Sequence, residues 1–320
     1  MSATKHRFVK TNGINVHVAE EGDGPLVVLC HGFPEGWYSW RHQLPEVAAA
    51  GFHAVAPDQR GYGRTDRPEA IEAYDILNLT ADIVGLVHAL GRDEAVVVGH
   101  DWGAVVAWHC ALLRPDVFRA VGLMSVPYLQ RAWDEPRPTD VMRAISGDGQ
   151  FYQLYFQEPG RAEAELEADP RRTIETILYG VSGDPVPEKR WRFVFGKDEG
   201  MLNNAAPGAL PAWLTAADVD HFAGEFARTG FRGPLNWYRN IDRTWEQTRW
   251  LCGAKIQQPA LFVAGEADPV IAMYRPAFDA LNATVPNLRT KSLLPGAGHW
   301  IQQERPAEVN ELLLAFLRGL

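Results

Sequence analysis

Ala95 to Val98 has the character of a buried strand and runs straight into Gly99-His100-Asp101-Trp102-Gly103. Ala104 to Leu113 then reads as a helix that ends before Pro115. A strand that turns this sharply into a helix thrusts its central side chain outward. The flanking glycines let the two backbones close up behind it. Such a turn is built on a sheet whose strands end side by side, which points to an α/β architecture.

The flanking sequence agrees. Val16–Glu20 reads as a strand ending at the turn Glu21-Gly22-Asp23-Gly24, and Leu26–Cys30 and His53–Ala56 are continuous apolar runs. Leu79–Leu90 has helical period and Gly91 as C-cap; Ala120–Met124 is another strand. This alternation predicts a mostly parallel sheet flanked by helices. From about Tyr128 the pattern turns helical, aromatic and proline-rich. Strand signals resume with Pro259–Ala264 and Thr290–Leu294, and Pro306–Leu317 closes as a helix. Residues 1–127 and 244–320 are therefore expected to form the core, with 128–243 as a helical cap over the strand ends.

Most turns of this kind carry Ser; here the residue is Asp101. A carboxylate that attacks a saturated carbon forms an alkyl ester, which water can cleave at its carbonyl. That restricts substrates to epoxides or alkyl halides. Taken alone, Asp101 is equally a helix N-cap. The chain order nucleophile, acid, histidine selects Asp268, in Gly265-Glu266-Ala267-Asp268-Pro269, and His299, in Pro295-Gly296-Ala297-Gly298-His299-Trp300. Glu266 is the alternative acid. Ser125-Val126-Pro127 offers no carboxylate at the other usual place. His299 would activate water, with Asp268 fixing its tautomer. Phe33, in His31-Gly32-Phe33-Pro34, and Trp102 are the expected backbone donors of an oxyanion hole. Phe33, Pro34 and Trp102 are also expected to touch substrate, and Phe33-Pro34 is a candidate cis peptide. His31 and His100 read as packed structural residues.

Composition narrows the class further. Hydrophobic residues make up 46% and charged residues 22%, as in an ordinary globular enzyme. A net charge of -9 without a basic stripe argues against nucleic acid. Cys30, Cys110 and Cys252 have no paired spacing, so neither disulfides nor a metal site is expected. No run approaches the roughly 18 apolar residues of a membrane span. The start of the chain lacks an apolar leader, so the expectation is a cytoplasmic protein, monomeric or homodimeric, without cofactor.

His31–Trp40 (H-G-F-P-E-G-W-Y-S-W) and Gly99–Gly103 (G-H-D-W-G) resemble the α/β-hydrolase-fold epoxide hydrolases of the soluble, cytosolic type. So do Phe151–Gly160 (F-Y-Q-L-Y-F-Q-E-P-G), Asn236–Asn240 (N-W-Y-R-N) and Gly298–Trp300 (G-H-W). The resemblance implies an eight-stranded sheet with the cap inserted after the sixth strand. It also implies a chain without the N-terminal phosphatase domain of the large mammalian enzymes. Tyr152 and Tyr238 match the family's two cap tyrosines that hold the epoxide oxygen. Phenols, with pKa about 10, can donate to a developing alkoxide at neutral pH. Tyr128, Tyr155, Tyr179 and Tyr274 read instead as packing residues. The implied activity converts a small apolar epoxide and water to a vicinal diol. The rival is a haloalkane dehalogenase on the same Asp-His-Asp core. Trp133, Phe151, Phe156, Phe193, Phe195, Trp213 and Phe222 are candidates for an apolar tunnel.

Overall fold

The computed structural model describes residues 4–204 and 209–320. Eight strands form one sheet: β1 (Lys5–Thr11), β2 (Ile14–Glu21), β3 (Leu26–Cys30), β4 (His53–Pro57), β5 (Ala95–His100), β6 (Phe118–Met124), β7 (Ala260–Gly265) and β8 (Leu288–Leu294). Their spatial order is β1-β2-β4-β3-β5-β6-β7-β8. β2 is antiparallel to both β1 and β4; every other pair is parallel.

The central strands are apolar throughout because both sheet faces are covered. Val27 and Leu29 pack on one side with Leu44, Val47, Val309, Leu313 and Phe316. Val28 and Cys30 pack on the other with Leu79, Ile83, Val106 and Ala107. This is the two-residue alternation of a strand, with helices receiving each face. β1 leaves no apolar run in the sequence because it is an edge strand whose residues are mostly exposed, with only Val9 and Thr11 buried.

Register brings the loops at one end of the strands together. Cys30 pairs with Gly99, His100 with Met124, Met124 with Val263, and Gly265 with Leu294. Hence the loops after β3, β5, β6, β7 and β8 all leave one edge of the sheet.

Between β6 and β7 the described residues are mainly helical, including Pro138–Ser146, Pro170–Val181, Ala216–Thr229, Arg232–Arg239 and Ile241–Gln247. A two-residue ladder pairs Gln150–Phe151 with Val194–Phe195. Asp169 caps the second of these helices through Arg172 N–H, and Thr215 with Asp218 forms a capping box on the third. The inserted helices are pinned to the strand-end loops. Trp300 Nε1 donates to Leu178 O at 2.7 Å, His299 N to Val181 O at 3.1 Å and Trp237 Nε1 to Arg60 O at 3.0 Å. The sequence boundary between residues 243 and 244 falls inside the helix Ile241–Gln247.

The turn at Asp101 needs its glycines. A Cβ on Gly103 would lie 2.0 Å from Cys30 O, and one on Gly99 1.9 Å from Gly103 O. Backbone on both sides leaves neither residue room to yield. Gly103→Ala should therefore cost about 3 kcal/mol or more of folding stability. Thermal or urea unfolding measures this, and a loss within error of zero would contradict the close packing.

Candidate active site

Asp101 sits at φ 52°, a strained value for a non-glycine residue. Its side chain makes no capping bond to its own helix, Trp102–Leu113. The N-cap reading of the sequence therefore does not describe this carboxylate. It turns instead toward the loop after β3, where Phe33 N–H donates to Oδ1 at 2.9 Å. Gly32 permits that approach, since a Cβ there would fall 2.4 Å from the Asp101 Cβ. Phe33-Pro34 is cis. Trp102 N–H belongs to the first helical residue, so the helix itself supplies no acceptor for it.

His299 lies between two carboxylates. Its Nε2 is 3.5 Å from Asp101 Oδ2, and its Nδ1 is 3.1 Å from Asp268 Oδ2. Asp268 Oδ1 also accepts Val270 N–H at 2.8 Å, which fixes the carboxylate. Glu266 is exposed and has no part in this arrangement. Burial alone would lower the His299 pKa, but the charges and hydrogen bonds of Asp268 and Asp101 outweigh it and raise it to about 10. Burial would raise Asp101; the bond to His299 and its charge, followed by His100 and Phe33 N–H, hold it below its ordinary value.

Behind these groups lies a polar network that the sequence did not reveal. His100 Nδ1 faces Glu35 Oε2 at 2.9 Å, and Nε2 faces His299 O at 2.7 Å. Ser125 Oγ donates to the same carbonyl at 2.6 Å. Glu35 is buried and also accepts Gly32 N–H, Gln302 Nε2 and Gln303 Nε2. It thereby ties the Phe33 loop to the His299 loop. His31 accepts Gln59 N–H and contacts Gly32 O, a structural role as expected from the sequence.

Tyr152 and Tyr238 come together across from Asp101, with ring centroids 6.1 Å apart. Gln153 Nε2 donates to Tyr152 Oη at 2.7 Å, leaving the phenol hydrogen for another acceptor. Burial raises both phenols above their ordinary pKa, and the Asp101 charge adds to it. Both therefore remain protonated donors. Tyr238 packs edge-on against Trp102 and Phe33, at centroid distances of 5.1 and 5.5 Å.

Two cavities meet at Asp101 and Tyr152. The larger, about 500 Å³, is walled by Asp101, Trp102, Tyr152, Phe151, Phe193 and Tyr274, among others. The smaller, about 50 Å³, contains Phe33, Tyr238 and His299 and shares Asp101 and Tyr152. Pro34, expected to touch substrate, is buried and lines neither. Tyr128 and Tyr274, expected as packing residues, line the larger cavity. Of the aromatic candidates, Phe151, Phe156 and Phe193 line these cavities. Trp133, Phe195, Trp213 and Phe222 do not. Among the described residues no group of three His, Cys, Asp or Glu side chains converges as a metal site would.

The sign of the His299 shift gives a test. A proton held up to about pH 10 in the fold, against an ordinary 6.5, contributes stability that is fully present below pH 6.5 and lost as pH rises toward 10. Asp101→Asn removes one of the two anions. His299 should then titrate below its wild-type value in an NMR titration of the imidazole, and unfolding free energy should fall less steeply between pH 6.5 and 10. An unchanged titration would show that Asp101 does not hold that proton.

The alpha/beta hydrolase fold family matches residues 25–306. Epoxide hydrolase A of Mycobacterium tuberculosis is 50% identical, over 100% of this chain and 99% of its own. The solved epoxide hydrolase from an endophytic Streptomyces superposes with a TM-score of 0.96 at 51% identity, covering 100% of this chain and 96% of that one. The crystal structure of epoxide hydrolase A from Mycobacterium thermoresistibile gives 0.93 at 51%, covering 99% of each. The strand order, the inserted helices and this likeness along the whole length agree: the chain belongs to the epoxide hydrolases of the alpha/beta hydrolase fold.

Proposed function

We propose that the protein converts epoxides to vicinal diols through a hydroxyalkyl ester on Asp101. One observation carries the reading: the Asp101 carboxylate leaves its own helix uncapped and lies where the two cavities meet, with the two phenols across from it. Tyr152 and Tyr238 hold the epoxide oxygen. An Asp101 oxygen attacks one ring carbon, the carbon–oxygen bond of the ring breaks, and a phenol proton passes to the leaving alkoxide. The phenolate regains its proton, by way of water, from His299.

Ester formation removes the Asp101 charge. One of the two anions holding the His299 proton is then gone, so the imidazole can lose that proton and serve as base. It takes a proton from water as the water attacks the ester carbonyl. Phe33 and Trp102 N–H groups hold the resulting oxyanion, and collapse releases the diol and regenerates Asp101. Asp268 keeps the ring oriented throughout.

Residues 128–243 act in this reading as a cap that supplies the phenols and covers the site. No helix among the described residues is long and apolar enough to cross a membrane. A cytoplasmic location is part of the same proposal.

His299→Gln should stall the second half-reaction. Intact-mass analysis after substrate addition should show the enzyme plus one epoxide; free enzyme with normal turnover would contradict the base assignment. Tyr152→Phe combined with Tyr238→Phe should lower turnover by roughly 100-fold or more with the fold intact by circular dichroism. A fully active double variant would remove the phenols from the mechanism. Styrene oxide offered beside a bromoalkane separates the rival: the diol should form without halide release.

A further inference from the structure

The backbone around His299 is held by a carboxylate that the proposed reaction does not use. Glu304 ends the short helix Ile301–Glu304, and its side chain folds back over the start of that turn. Oε1 accepts Trp300 N–H at 2.9 Å, and Oε2 accepts Gly298 N–H at 2.7 Å. One carboxylate thus takes the N–H groups on both sides of His299. The same Oε2 also accepts Gly183 N–H at 3.0 Å, from the inserted segment. Gly183 lies two residues beyond Val181, whose carbonyl accepts the His299 N–H at 3.1 Å. The N–H groups of Gly298, His299 and Trp300 are therefore all fixed, two by Glu304 and one by the inserted segment.

The two backbones touch here. A Cβ on Gly298 would fall 2.2 Å from Gly183 N, and one on Gly183 would fall 2.4 Å from Gly296 O. The junction is made of backbone, with the Glu304 carboxylate accepting from both sides of it. Burial pushes the Glu304 carboxyl up to about 7; the N–H groups of Gly298, Gly183 and Trp300 pull it down, and the Asp184 charge adds to the rise. An anion deprived of water is costly, and charge-assisted bonds from these N–H groups offset that cost. The path from Glu304 to the imidazole is one residue long. A shift of the His299 backbone would change the 3.5 Å between Nε2 and Asp101 Oδ2 and the 3.1 Å between Nδ1 and Asp268 Oδ2.

We propose that Glu304 is a positioning residue for ester hydrolysis. It fixes the His299 backbone from both sides and ties it to the inserted segment, so the imidazole stays where water activation needs it. This rests on reading His299 as the base of the second half-reaction. Attack of Asp101 on the ring carbon takes no proton to His299, so the two half-reactions should respond differently to the loss of Glu304.

Glu304→Gln keeps the size of the side chain, but its NH2 group cannot accept, so the three N–H donors cannot all be satisfied as before. Rapid quenching with styrene oxide, read by intact mass, separates the half-reactions. Ester formation should stay within about twofold of wild type while ester hydrolysis slows by about tenfold or more, the scale of a displaced base. Equal slowing of both steps, the pattern of a merely structural role, would overturn the proposal, as would unchanged hydrolysis. Hydrogen exchange read by mass spectrometry needs no turnover. The peptides holding Gly183 and Gly298–Trp300 should both exchange about tenfold faster in Glu304→Gln, as local opening becomes easier. Unchanged exchange at Gly183 would show that Glu304 does not join the two backbones, and would equally overturn it. Should Glu304→Gln fail to fold, Glu304→Asp, which keeps the charge and shortens the reach, is put through both measurements with the same expectations. If wild-type protein opens no epoxide, the hydrolase reading itself fails, a result distinct from half-reactions that slow equally, and the exchange measurement still decides the junction.

Discussion

A histidine buried between two carboxylates is the interaction on which the rest of this structure depends. Charges inside a protein are tolerated only when paired and hydrogen-bonded. His299 meets that condition with Asp268 on one side and Asp101 on the other. The arrangement explains why the surrounding backbone is held so firmly. The His299 carbonyl accepts from both His100 and Ser125, and its N–H donates to Val181 in the inserted helices. Glu35 then joins the same network to the loop that carries Phe33. Core, inserted helices and the loop that carries Phe33 are thus referenced to one imidazole.

The chemistry proposed for the site follows from removing one charge from that set. Before reaction, two anions favour the imidazolium; after esterification, only Asp268 remains. The same carboxylate that attacks the substrate therefore releases the base needed for the next step. Burial of Tyr152 and Tyr238 works in the opposite sense, keeping each phenol protonated until an alkoxide develops beside it. In this reading the order of the two half-reactions is written into the electrostatics, without any large rearrangement of the fold.

Much of this was legible in the sequence, and the reasons are specific. β3 and β5 announced themselves as apolar runs because both faces of the sheet are covered. Asp101, Asp268 and His299 were found because each follows such a strand at its C-terminal end. β1 escaped because it is exposed and polar at the sheet edge. Glu35 escaped because its partners Gln302 and Gln303 are 267 and 268 residues away in the chain. Tyr152 and Tyr238 were chosen only through the family resemblance, since local pattern does not distinguish two of nine tyrosines. Pro34, expected to touch substrate, is buried and lines neither cavity.

In the proposed reaction Asp101, and not water, attacks the epoxide. A single turnover with enzyme in excess over substrate, run in water enriched in oxygen-18, tests this directly. The first diol should carry no solvent oxygen, because its new oxygen comes from Asp101, and the label should appear in the peptide containing Asp101. Label in the diol from that first turnover, with Asp101 unlabelled, would contradict it.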